Sequence, residues 1–230
     1  MRIIELDTKK PNLPKLDNQG NESIIYINGN TLYKIFNDDV NCQLKLDSLD
    51  FIEQNKSTLK GLIMPNEKLS FKEIFVGHTM DIYDCKSIDN YFDYSIEFEK
   101  RHHYCLEYLD IFNRMNSIEA QHMDFHTDNL LIDKDGNALI GDCCSIKNKS
   151  IGIKYKQEQL VILMSLLTGV NLMSEVNSTI CISEVINQIG SNSLLNYYYK
   201  PGNNLDFCLF EGFNNNVEAV KKIVKTYGEF

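Results

Sequence analysis

Three side chains that present oxygen, Asp124, Asn129 and Asp142, fall within one short stretch of this 230-residue chain. It runs His122-Met-Asp-Phe-His-Thr-Asp-Asn129, then Leu-Leu-Ile, a polar run Asp133-Lys-Asp-Gly-Asn137, and Ala-Leu-Ile-Gly-Asp142. An acid, an amide and a second acid in this order suit metal-assisted phosphoryl transfer. One carboxylate steers the attacking hydroxyl, while the amide and the other carboxylate hold magnesium against the phosphates. Asn129 follows Asp124 by five positions, and Asp142 follows Asn129 by thirteen.

These side chains need a loop that opens a hairpin. Leu130-Leu-Ile132 and Ala138-Leu-Ile140 are apolar runs joined by an Asp/Gly/Asn-rich turn, which predicts that hairpin. Upstream, residues 95–120 predict an amphipathic helix in which Cys105, Leu109, Phe112, Met115 and Ile118 recur at helical spacing. A packed core stripe explains those side chains, and His102 and His103 read as surface or cap residues rather than metal ligands. Two β-rich runs, 23–27 and 32–36, flank Asn28-Gly29-Asn30 and predict a first hairpin, because these residues readily enter a tight turn. Lys34 stands in its second strand, between Tyr33 and Ile35. Residues 41–56 favour a helix that carries Asp47, Asp50 and Glu53. Residues 61–65 and 71–76 read as strands and 77–83 as the connection leaving them; a helical pattern runs over 156–168, with further helices expected over 159–190 and 215–227 and a loop at 201–204.

The segment from His122 to Asp142 resembles the catalytic loop and metal-binding segment of the protein-kinase-like superfamily. His-x-Asp-x-His-x-x-Asn is more similar to the aminoglycoside and choline phosphotransferase branch than to the His-Arg-Asp form of ordinary protein kinases. The setting of Lys34 resembles the Val-Ala-Ile-Lys strand of kinases. The resemblance covers roughly residues 15–170. It implies an α+β, two-lobed, protein-kinase-like fold formed by one domain over 1–230: a small antiparallel-sheet lobe to about residue 83, then a reduced, mainly helical lobe over 84–230.

The function implied is an ATP- and magnesium-dependent phosphotransferase acting on a hydroxyl acceptor, either protein Ser/Thr or a small molecule. Asp124 would position the acceptor, Asn129 and Asp142 would hold metal, and Lys34 would hold phosphates. Residues 77–83 are similar to the hinge that meets adenine. In the resembled fold a helix carboxylate orients the strand lysine; Asp47 is favoured for that part and Glu53 is next, while spacings of three among Asp47, Asp50 and Glu53 leave the choice open. The stretch 17–23 has a single glycine, so an ordinary turn is favoured there over a phosphate-covering loop.

The chain departs from the family pattern after the metal-binding aspartate. Asp142-Cys143-Cys144 replaces Asp-Phe-Gly or Asp-x-Asp, so the glycine that frees the following backbone is missing. No Ala-Pro-Glu follows, and helical pattern resumes soon after. A mobile activation segment is therefore not expected, and a pseudokinase or nucleotide-binding interaction module stands as the alternative. His122-x-Asp124-x-His126 also has the residue types of a zinc site, but no further His or Cys cluster completes it. Asp133-x-Asp135-Gly-Asn137 lacks the length and terminal glutamate of a calcium loop, and a hairpin turn explains it. Lys147, Lys149, Lys154 and Lys156 read as a solvated loop, with an electropositive rim for an anionic ligand as the functional alternative.

A formal net charge of −9 disfavours a general nucleic-acid partner, because phosphate neutralisation needs clustered Lys and Arg. No apolar run approaches the roughly 20 residues of a membrane span, and the N-terminal residues lack a signal-peptide apolar region. A cytoplasmic protein without a membrane partner is the expectation. The seven cysteines are odd in number and irregularly spaced, which favours reduced thiols over a disulfide framework.

Overall fold

The computed structural model describes residues 1–16, 21–93 and 95–152, together with Tyr155, Glu158, Gln159, Ile162, Leu163, Ser165 and Leu166. Strand β1 spans Arg2–Glu5, β2 Ser23–Asn28 and β3 Thr31–Phe36. Helix α1 spans Cys42–Gln54, followed by β4 Glu67–Phe71, β5 Ile74–Asp81 and β6 Cys85–Ser87. Helix α2 covers Phe98–Ser117; β7 (Ala120–His122), β8 (Leu130–Asp133), β9 (Ala138–Ile140) and β10 (Ile146–Asn148) follow. Among the described residues the architecture is mixed α+β, with several small sheets and two long helices, α1 and α2.

The first hairpin forms where expected. Gly29 adopts φ +60° in the two-residue turn, a conformation closed to most side chains, and Ser23 pairs with Phe36 at the far end. The sheet order is β1-β4-β5-β3-β2. An all-antiparallel sheet was expected there; β1 instead runs parallel to β4, while the other pairs are antiparallel. Alternation along β3 puts Ile35 in a small cluster with Tyr26, Leu69 and Val76, and Phe36 in the main core on the other face. Lys34 therefore shares the face of Phe36. Across the ladder it pairs with His78, while Ile35 pairs with Gly77, whose Cβ, were there one, would lie 2.1 Å from the Lys34 carbonyl oxygen. Only glycine admits that close approach.

Three expectations need correction. Residues 61–65 form no strand: Gly61 is left-handed at φ +91°, and the segment makes a single bridge, Leu62 to Ile140. Residues 71–76 are not one strand, because Lys72 and Glu73 turn the chain at φ 53° and 65° and separate β4 from β5. The Glu5 carboxylate helps hold this turn, accepting from the Ser70 hydroxyl and from the Glu73 N–H. The expected connection over 77–83 largely belongs to β5, so the chain leaves the sheet at residues 82–84.

Helix α1 starts at its Asn41 cap, whose side-chain oxygen accepts from Leu44 N at 3.2 Å, and buries Ser48, Leu49 and Ile52. Helix α2 buries Cys105, Tyr108, Leu109, Phe112 and Met115 along one stripe. Each large apolar side chain so buried stabilises the fold by about 1.5–3 kcal/mol. The Tyr108 hydroxyl donates to Leu131 O at 2.7 Å and so ties α2 to the β8–β9 hairpin. His103 is exposed, whereas His102, expected as a surface or cap residue, lies within α2 and is only 5% exposed because its turn faces the core.

Cys42, Cys85, Cys105, Cys143 and Cys144 are free thiols; Cys181 and Cys208 lie outside the described residues. The described positions between Tyr155 and Leu166 are helical, in keeping with the pattern over 156–168. Beyond them, the helices expected over 159–190 and 215–227 and the loop at 201–204 lie outside the described residues, as do positions 17–20. No helix among the described residues is long and apolar enough to cross a membrane.

Candidate active site

A cleft of about 860 Å³ collects Lys34, Asp124, Asn129 and Asp142 from segments far apart in sequence. Its volume suits a small-molecule ligand. A second cavity, of about 690 Å³, lies between β1, β4 and α1 and contains none of these four residues.

The loop between β7 and β8 is shaped by its own side chains. His122 is 1% exposed; its Nε2 lies 3.0 Å from Gly141 O, and its Nδ1 accepts from Asp124 N at 3.3 Å. These partners define the tautomer with the proton on Nε2 and bind the loop to the residue before Asp142. Both ring nitrogens are thus engaged, which removes His122 from a zinc site. Asn129 Nδ2 donates to Asp124 O at 2.8 Å, and Gly141 N donates to Asn129 O at 2.8 Å. A Cβ at Gly141 would lie 4.0 Å from Asn129 Oδ1, so the amide oxygen abuts the backbone leading into Asp142. The Asp124 carboxylate is 63% exposed to the cleft and to solvent, with His126 Nε2 at 3.3 Å from its Oδ2.

Asp142 sits in the left-handed region, at φ 46° and ψ 51°, and opens a short 3-10 turn, Cys143–Ser145. Aspartate tolerates this conformation better than most residues, yet it carries strain of a kind concentrated at functional sites. The Ser145 hydroxyl donates to Asp142 Oδ2 at 2.6 Å, and Lys34 Nζ donates to Asp142 Oδ1. Burial works to raise the Asp142 carboxyl, but the charge and hydrogen bond of Lys34, with help from Ser145, hold it well below the usual carboxylate range. For Lys34, burial works to lower the ammonium and Asp142 overrides it, leaving the value raised.

Asp47 does not meet Lys34. It accepts from Gln43 Nε2 at 2.7 Å along its own helix, an i, i+4 pair on the exposed side. Asp50 and Glu53 turn toward Lys68, the latter at 3.9 Å. The register of α1 thus points its three carboxylates away from the strand lysine, and Asp142 takes the place as its counter-ion. Of the four lysines read as a loop, Lys147 lies on β10 and lines the cleft, Lys149 is exposed, and Lys154 and Lys156 fall outside the described residues. With β10 paired to β7, the chain after Asp142 is occupied by structure at once.

Sequence reasoning missed Ser145, although its place three residues after Asp142 is a local signal for a side chain that can reach back. It also missed Glu22 and Lys45, paired at 2.6 Å at the cleft, for which no local signal exists. His78 was missed too. It is 4% exposed beside Lys34, with Cys144 Sγ at 3.3 Å from its Nδ1.

Burial and the Lys34 charge push the His78 imidazole from about 6.5 down to about 3. The unfolded chain then binds a proton that the folded chain refuses, so this contribution to stability is full above pH 6.5 and is lost as pH falls toward 3. Between pH 7.5 and 5.5 the loss is about 1.4 kcal/mol. Urea unfolding at the two pH values is expected to show it in the wild type and to show a smaller drop in His78→Leu. Buried His122 is lowered in the same direction and preserves part of the slope. Equal drops in both proteins would remove His78 as a cause.

Asn129 and Asp142 offer an amide and a carboxylate oxygen, hard donors suited to magnesium. Among the described residues, no group of three or more His, Cys, Asp and Glu forms a metal-holding cluster. Compared with known proteins, the chain matches no protein-family model and no curated protein.

Proposed function

We propose that this protein is an ATP- and magnesium-dependent phosphotransferase with a two-lobed, protein-kinase-like architecture, its lobes meeting near residue 83. The observation that carries the reading is the convergence on one cleft of Lys34 from β3, Asp124 and Asn129 from the loop before β8, and Asp142 after β9. Order and chemistry both match the requirements of phosphoryl transfer: a cation for phosphates, a carboxylate for the attacking hydroxyl, and two oxygen donors for metal.

Asn129 and Asp142 would hold the magnesium, which supplies charge neutralisation at the phosphates. Lys34 binds phosphate oxygens once Asp142 releases it. Asp124, exposed to the cleft, orients the acceptor hydroxyl and takes its proton. The bond from the acceptor oxygen to the γ-phosphorus forms, the bond to the β–γ bridging oxygen breaks, and ADP leaves. His122 and Asn129 position Asp124 through its backbone, so the base stands on a loop fixed at both ends. The acceptor is a hydroxyl of a protein or a small molecule.

The Lys34–Asp142 ion pair favours a second reading, a nucleotide-binding module without transfer, because in this arrangement the metal-binding carboxylate is taken up by the lysine. Calorimetric titration with ATP, with and without magnesium, tests the nucleotide site common to both readings. Binding strengthened by magnesium in the wild type, with that dependence weakened in Asn129→Ala, is the expected result. No binding, or the same metal dependence in the variant, would overturn the site assignment. Transfer to an acceptor then separates enzyme from binding module.

A further inference from the structure

The helix that carries no carboxylate toward Lys34 carries a cation into the cleft instead. Lys45, one turn into α1, lines the cleft with a side chain only 13% exposed, and its Nζ lies 2.6 Å from Glu22 Oε2. Glu22 enters from the segment before β2, and its side chain is 55% exposed. The Lys34–Asp142 and Lys45–Glu22 pairs therefore line one space.

The two members of the Lys45–Glu22 pair differ in what they lose on separation. Glu22 is more than half exposed, so water solvates it when it is released and the cost is small. Lys45 is largely covered and needs an anion in its place. A polyphosphate in the cleft provides one, with several charged oxygens where Glu22 offers a single carboxylate. Lys34, once released by Asp142, offers those oxygens one positive charge, and Lys45 lines the same cleft to offer a second.

We propose that Lys45 is a second phosphate-binding cation of this cleft and that Glu22 is its resting counter-ion, exchanged for the phosphates when a nucleotide binds. The inference rests on the nucleotide reading above and adds to it a charge arrangement in which the helix supplies a lysine and the preceding loop supplies the carboxylate. Glu22 neutralises Lys45 when no ligand is bound and competes with the ligand for it.

Calorimetric titration of the full chain with ATP and with inorganic tripolyphosphate, which has neither base nor ribose, tests this. Lys45→Gln is expected to weaken both ligands about tenfold, the scale of one charge-assisted contact. Lys45→Arg keeps the charge and should bind within a few-fold of wild type, and Glu22→Gln, which removes the competitor, should bind both ligands a few-fold more tightly. Wild-type affinity in Lys45→Gln, equal loss in Lys45→Gln and Lys45→Arg, or weaker binding by Glu22→Gln would overturn the inference while leaving the nucleotide site standing. A wild type that binds neither ligand would overturn both.

Discussion

Asp124→Asn is expected to slow phosphoryl transfer by about 10²-fold or more while leaving ATP affinity nearly unchanged, the scale of lost general-base assistance. The substitution keeps the size of the side chain and removes its negative charge and with it the capacity to take a proton. The anchoring of the loop survives, because Asn129 Nδ2 reaches the Asp124 backbone oxygen and His122 Nδ1 receives the Asp124 N–H. Neither contact involves the carboxylate. Single-turnover rates and ATP titrations on the same preparations separate the two effects. Transfer at the wild-type rate, with any verified acceptor, would remove Asp124 as the base; a parallel loss of ATP affinity would make it a binding residue.

Breaking the buried ion pair should have the largest effect on stability. Lys34 and Asp142 are only 15% and 16% exposed, so Asp142→Asn leaves an ammonium with little water and no counter-charge from that position. The expected cost is about 3 kcal/mol at pH 7. Lys34→Met should cost a similar amount, and the double variant less than the sum of the two, since each single change already removes the shared interaction. The pH dependence has a definite sign. The folded Asp142 value is depressed from 3.8, so the contribution of the pair is complete above that pH and is lost as pH falls below it. Urea unfolding at neutral pH and at pH near 3 tests both points. Strict additivity at neutral pH would show that the two residues do not stabilise the fold as a pair.

The parts of this fold that were legible in the sequence are those specified by neighbours along the chain. Asn28-Gly29-Asn30 announced the β2–β3 hairpin, and Asp133 with Gly136 and Asn137 announced the turn between β8 and β9. There the Asp133 carboxylate accepts from Asn137 N at 2.8 Å and from Asp135 N at 2.9 Å. The stripe from Cys105 to Met115 announced α2 through its period. By contrast, the turn at Lys72 and Glu73 has neither glycine nor asparagine, and its geometry is supported by Glu5 from a distant strand. The candidate site divides in the same way. Asp124, Asn129 and Asp142 form a local pattern, whereas the counter-ion of Lys34 stands 108 positions away and depends on how α1 is rotated. A rotation that points Asp47 toward Gln43 and Lys45 toward Glu22 is set by the burial of Ser48, Leu49 and Ile52, and those contacts are tertiary.

The most direct measurement is a crystal structure of the protein with magnesium and a non-hydrolysable ATP analogue. The expected result is a metal held by Asn129 Oδ1 and Asp142, with Lys34 moved from Asp142 onto a phosphate oxygen and the terminal phosphate facing Asp124. A nucleotide bound elsewhere, or a cleft that stays empty at saturating nucleotide with Lys34 still on Asp142, would contradict the account.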